Sequence, residues 1–140
     1  MSNRDDALGG KSNHLQQIFN KVSTHLLEQN ERSVVDTTGT CAYRGESGKM
    51  CAVGCLMADD KYHDGCEGHT VHSGGVMQIL AGSGIEFDYQ GDVLHLLEVL
   101  QKIHDNHPVK DWAYSLDKLA QKFNYNAPHL RGNHGFAADI

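Results

Sequence analysis

The residues of this chain best suited to chemistry lie close together. Its four cysteines, Cys41, Cys51, Cys55 and Cys66, fall within 26 of its 140 residues, among Tyr43, Arg44, Asp59, Asp60, Tyr62 and His63, and Glu67 and His69 follow at once. Three chemistries suit such a set. The first is zinc binding by the four thiolates with His63 or His69 as a nitrogen ligand. The spacing C-x9-C-x3-C-x10-C lacks the paired two-residue knuckles of zinc fingers and ribbons, so the ligands would have to be gathered by the fold. The second is nucleophilic catalysis. Cys51 follows a turn and could open a helix whose dipole lowers its pKa, with His104 as base and Asp105 as the group that orients it. The third is burial, the ordinary fate of a reduced cysteine, which packs as a small hydrophobe. No complete catalytic motif is present, so the sequence favours a non-enzyme and commits to no cofactor. His104 reads equally well as a helix C-terminal histidine facing free carbonyls.

Weaker signals surround this set. Arg44, beside a turn, could clamp a carboxylate or phosphate in a bidentate fashion, and an acidic residue of its own segment is the nearest such partner. Asp59, Asp60 and Asp64 lack the alternating oxygen ligands of a calcium loop. Gly45 to Lys49 misses the spacing of a phosphate-binding loop.

Composition narrows the classes further. The formal charge is −6 with ten histidines neutral, which disfavours non-specific nucleic-acid binding, a process that depends on Lys and Arg neutralising phosphates. No apolar run approaches the roughly 20 residues of a membrane span, and the N-terminus lacks a signal-peptide layout, so a cytoplasmic protein with reduced thiols is expected.

The elements that must position these residues can be read from periodicity. Residues 1–10 have no pattern and read as a flexible arm. From Asn13, the positions Leu15, Ile18, Phe19, Val22 and Leu26 form one apolar stripe of a helix that Asn30 would end in a left-handed conformation. Ser33 to Asp36 and Thr40 to Arg44 read as short strands. After the turn at 45–48, Lys49 to Met57 reads as the buried second arm of a β-hairpin, with a helix starting near Cys51 as the competing assignment. Helices then follow around Val71 to Leu80, over 92–104 with Asp92 as its cap, and over 109–123. The expected architecture is α+β: an N-terminal helix, a small antiparallel hairpin or sheet, then three helices. A single domain covers 11–125, with a loose tail at 126–140.

Hairpin register decides which thiols meet. A four-residue loop sets Cys41 opposite Ala52 and puts Cys41 and Cys51 on opposite faces. A loop of three or five residues brings the two onto one face, with Tyr43 opposite Cys51 in the same register.

The motifs Cys41-Ala42-Tyr43-Arg44, Cys51-Ala52-Val53-Gly54, Asp60 with Tyr62, Glu67-Gly68, and Leu100-Gln101 with His104-Asp105, ahead of a helix containing Trp112, resemble those of a family of small uncharacterised bacteriophage and prophage proteins. The resemblance spans about residues 14–124. The family often has Leu-Ile-Pro where this chain has Leu56-Met57-Ala58, and Cys55 and Cys66 are extras to its pattern. The resemblance implies a viral accessory role and carries no activity. The chain is therefore expected to bind and modulate a host protein in the host cytoplasm, a defence or regulatory factor, by surface contact or by sequestering a small ligand. The binding residues expected are Tyr43, Arg44, Asp60, Tyr62 and Glu67. Buried polar groups need partners, so Arg44 is matched with Glu67 or Asp60, and Tyr43 or Tyr62 with His104.

Overall fold

A computed structural model describes residues 3–35 and 38–130, with residues 3–10 as backbone alone; expectations for residues 1, 2, 36, 37 and 131–140 lie outside the described residues. Four α-helices make the frame: α1 (Asn3–Gln29), α2 (Gly74–Gly82), α3 (Asp92–Asn106) and α4 (Trp112–Phe123). Each helix buries the stripe its sequence marks. Ile18, Phe19, Val22 and Leu26 of α1 meet Leu96, Leu97, Leu100 and Ile103 of α3 and Trp112, Leu116 and Leu119 of α4 in one core. Burial of this kind is worth about 1.5–3 kcal/mol per large apolar side chain, and it dominates the stability of the helical frame.

Helix ends follow local chemistry. Asn30 and Asn124 adopt the left-handed conformation that stops α1 and α4. The Ser73 hydroxyl accepts from the Val76 N–H at the start of α2. Asp92 does not cap α3. The Asp88 carboxylate does so instead, accepting from Asp92 N–H at 3.2 Å and Val93 N–H at 2.9 Å, with left-handed Gly91 between. The helical backbone of α1 reaches back to Asn3, past Gly9 and Gly10. Glycine weakens the apolar pattern there, yet it keeps the N–H that an α-helix needs. Beyond α4, Ala127 and Leu130 are buried, so the chain still packs as it leaves the last helix.

The α+β expectation is not met. The protein is predominantly helical, and among the described residues there is no sheet and no β-hairpin. The described residues of 33–57 contain only two isolated bridges, Val34 with Cys41 and Arg44 with Met50. The second bridge has the register of a five-residue loop, and Cys51 N–H donates to Tyr43 O at 3.3 Å, so Tyr43 and Cys51 do pair. The ladder then stops. Gly54 lies so close to the Tyr43 backbone that a Cβ on it would sit 2.0 Å from Tyr43 O, and the chain turns into a 3-10 helix at Gly54–Leu56. The competing helix from Cys51 is thus reduced to that single turn.

Side chains distant in sequence supply the hydrogen bonds a sheet would have made. Gln29 brackets Met50, its Oε1 accepting from the Met50 N–H at 2.9 Å and its Nε2 donating to the Met50 carbonyl at 2.9 Å. Glu67 accepts from Tyr43 and Arg44 N–H, Gln101 accepts from Val53 N–H, and the Ser33 hydroxyl donates to Ala42 O. An irregular buried backbone is tolerated only when its polar groups are paired in some such way.

Candidate functional site

These side-chain bonds fold residues 40–43 and 67–72 against the polar face of α3, and a cavity of about 400 Å³ opens between them. Its lining includes Cys41, Ala42, Tyr43, Cys51, Val71 and Gln101, together with Asp105, Glu67, His69, His72, Glu98 and Lys102. Glu98, Gln101, Lys102 and Asp105 are spaced at i, i+3, i+4 and i+7, so they share one face of α3.

His104 is the structural pivot behind this cavity. It is fully buried, and its ring stacks on Trp112 with centroids 5.5 Å apart. Its Nε2 accepts from the Ser33 N–H at 3.0 Å, and its Nδ1 lies 2.7 Å from Asp105 Oδ1. A backbone N–H can only donate, so Nε2 carries the lone pair and the Nδ1 proton points at the carboxylate. Arg32 ties down the same corner by donating through Nε to the His104 carbonyl at 2.9 Å and through Nη2 to the His107 carbonyl. The helix C-terminal role of this corner is thus filled by Arg32, while the imidazole of His104 holds the 33–34 segment to α3.

Asp105 collects donors. His104 Nδ1 and Gln101 Nε2 both donate to its Oδ1, the latter at 2.8 Å, and the Cys41 thiol bonds to the same side chain. Burial alone would raise its pKa, but these hydrogen bonds outweigh burial and hold the carboxyl below its usual value. The Cys41 thiol moves the other way, pushed up to about 11 by burial and by the adjacent Asp105. Burial likewise raises the Cys51 thiol strongly, against a hydrogen bond its sulfur accepts from Gly54 N–H at 3.3 Å. Cys51 is buried and starts no α-helix, so the expected dipole activation is absent from its surroundings. The Cys51–His104 hydrolase arrangement therefore lacks both an activated thiol and a histidine lone pair free to act as base.

The thiols do not gather for a metal. Among the described residues, Cys41, His104 and Asp105 are the only three His, Cys, Asp or Glu side chains whose ligand atoms all lie within 4.8 Å of one another. Neither the four cysteines nor His63 and His69 form such a group. The Cys41 group is a poor metal site as well: coordination through Nδ1 would move the imidazole proton to Nε2, directly against the Ser33 N–H. Cys55 and Cys66 are buried, the former with its thiol pushed up to about 12 by burial.

The expected binding residues divide. Tyr43 and Glu67 line the cavity, whereas Arg44, Asp60 and Tyr62 do not. Arg44 spends its guanidinium on the loop that follows, donating to Gly54 O, Met57 O and Asp59 Oδ1, and its face covers the Tyr62 ring at 5.0 Å. Its acidic partner is Asp59, not Asp60 or the Glu67 side chain, and Asp60 is exposed. Glu67 is a staple: Oε1 accepts from Tyr43 N–H at 2.9 Å, and Oε2 accepts from Arg44 N–H at 3.0 Å and Tyr62 Oη–H at 2.7 Å. The Tyr43 hydroxyl donates to the His69 carbonyl, so neither tyrosine pairs with His104. Sequence reasoning passed over Glu98, Lys102 and Val71 as cavity residues. The helical spacing back from Asp105 would have found the first two.

No family model, no curated protein and no solved structure matches this chain. Among the described residues, no helix is long and apolar enough to cross a membrane.

Proposed function

We propose that this chain is a binding protein that acts through the cavity beside α3, as a phage-type accessory protein engaging a host factor. One observation carries the reading: both ring nitrogens of His104, the histidine beside the cavity thiols, are committed inward to Ser33 and Asp105. A cleft with protonated thiols and an ionised carboxylate, in which the buried histidine beside Cys41 has no nitrogen free to act as base, is suited to recognition more than to group transfer. Its volume falls in the range of small-ligand and side-chain pockets, and its mixed lining of apolar walls with a few fixed polar groups is what such pockets use for orientation. The motif resemblance supplies the biological setting. The acidic balance of the chain supports a partner of opposite charge.

The test compares capture from bacterial lysate by the wild-type chain, by Thr40→Trp at the exposed edge of the cavity, and by Tyr114→Ala on the far surface of α4. The proposal expects a defined partner that the wild type and the α4 variant retain and the cavity variant loses. Equal capture by all three chains, or capture by none across repeated conditions, contradicts it.

A further inference from the structure

We infer that the cavity beside α3 receives the cationic end of an alkyl chain, an ammonium or guanidinium, with the Asp105 carboxylate as its counter-ion. This deepens the binding role proposed above and rests on it. Ala42, Val71 and the Tyr43 ring provide apolar surface of the kind that covers the methylene stem of a long cationic side chain. The two thiols facing the cavity, Cys41 and Cys51, add no charge, since burial favours their neutral forms.

The Asp105 carboxylate in the cavity lining is fixed. Asp105 leaves about a third of its side chain exposed, and its orientation is set by the bonds from His104 and Gln101 on one oxygen. A carboxylate held in place before binding loses little freedom when a cation arrives, which is the condition for a strong charge-assisted hydrogen bond. Glu67 and Glu98 add two carboxylates to the lining, with Lys102, His69 and His72 as its basic residues and His72 Nε2 3.5 Å from Glu98, so with neutral imidazoles the lining is anionic. Lys102 is itself two-thirds exposed and lies 3.9 Å from Glu98, so it is partly neutralised and free to swing away. An anionic ligand would meet three carboxylates, whereas a cation would add a charge-assisted bond to a carboxylate whose present partners, His104, Gln101 and Cys41, are neutral donors.

The cation could be a lysine or arginine side chain of a partner protein or a free alkyl amine, and the same experiment separates these sources. The full chain is titrated with n-butylguanidinium, n-butylammonium, butyramide and butyrate, and with the peptide Gly-Arg-Gly, by calorimetry and by fluorescence of Trp112. That residue is the only tryptophan of the chain and stacks on the imidazole bonded to Asp105. Saturable binding of the two cations, at least about tenfold tighter than butyramide and with no response to butyrate, is the expected result. The arginine peptide binding tighter than butylguanidinium points to a partner side chain, and the reverse order points to a free cation.

Glu98→Gln should weaken cation binding several-fold and Lys102→Met should strengthen it, both on the exposed face of α3 where folding is not at stake. Asp105→Asn should weaken it about tenfold or more. Equal affinity for butyramide and butylammonium, a preference for butyrate, or unchanged cation affinity in both Glu98→Gln and a folded Asp105→Asn overturns the inference. If every probe is refused while Thr40→Trp still abolishes partner capture, the cation falls and the binding role stands. If cations bind but partner capture ignores Thr40→Trp, the role falls and the cation stands.

Discussion

Replacing Glu67 by Gln tests whether a side chain has taken the place of a sheet. The substitution changes no volume and no reach, yet it turns an acceptor-only group into one half of which donates. In the native protein the carboxylate receives two backbone N–H groups and one phenol, at 2.9, 3.0 and 2.7 Å. Three donors converge on its two oxygens, so whichever way the amide is turned its NH2 meets at least one donor. The bond to that donor is lost, and a part-buried N–H or O–H is left without an acceptor, at about 1–3 kcal/mol for each such group. The remaining bonds weaken from charged to neutral, each by about 1 kcal/mol. The total is about 4 kcal/mol, which for a domain of this size lowers Tm by roughly 10–15 °C. Glu67→Ala should cost somewhat more. Asp59→Asn, which weakens an exposed ion pair with Arg44, should cost less than about 1 kcal/mol. Urea unfolding followed by circular dichroism measures all three. A Glu67→Gln protein within about 0.5 kcal/mol of wild type would refute the idea that this carboxylate holds residues 43–44 in place.

Four further outcomes follow from the same geometry. Gly54→Ala drives a Cβ to 2.0 Å from a backbone oxygen that no rotamer can move, so a loss of about 3 kcal/mol or failure to fold is expected, read from thermal unfolding and soluble yield. The thiols keep their protons in the fold at pH values where an unfolded chain ionises. Their contribution to stability should therefore be level below pH about 8.5 and fall as pH rises toward the values of about 11 for Cys41 and about 12 for Cys55, by up to about 1.4 kcal/mol per pH unit for a deeply buried thiol. Alkylation at pH 8 should reach Cys41 first, because the other three are buried. Asp105 has the opposite sign: its carboxyl is held below the usual value, so its contribution is complete above pH about 4 and is lost as pH falls through the lowered value. Asp105→Asn should flatten that acid limb when Tm is followed from pH 5 to 3.

The helices were legible in the sequence because each repeats a buried residue at three- and four-residue steps. Val93, Leu96, Leu97, Leu100 and Ile103 are all in the core, as are Ile18, Phe19, Val22 and Leu26. Residues 33–57 were misread for a definite reason. Their β-branched and apolar residues alternate as a hairpin would, and the Tyr43–Cys51 pairing even keeps a hairpin register. The ladder is cut by the close approach of Gly54 to Tyr43, and the freed backbone groups are taken by Gln29, Glu67 and Gln101, which lie tens of residues away. No local pattern carries such partners. The site was legible in part. His104 and Asp105 stand beside Cys41, although the sequence pairs them with Cys51, and Tyr43, Cys51, Glu67 and His69, marked for different roles, line one cavity. The roles could not be read, because the Ser33 N–H that fixes the imidazole tautomer arrives from a segment with no chemical signature of its own.

The central claim is that the histidine beside the cavity thiols is committed inward. Long-range ¹⁵N–¹H NMR correlation of the His104 imidazole at pH 7.5 tests it most directly. The account predicts a single neutral tautomer with the proton on Nδ1 and an unprotonated, hydrogen-bonded Nε2, unchanged when zinc or a chelator is added. A proton on Nε2, or a zinc-dependent shift of either nitrogen, would contradict it.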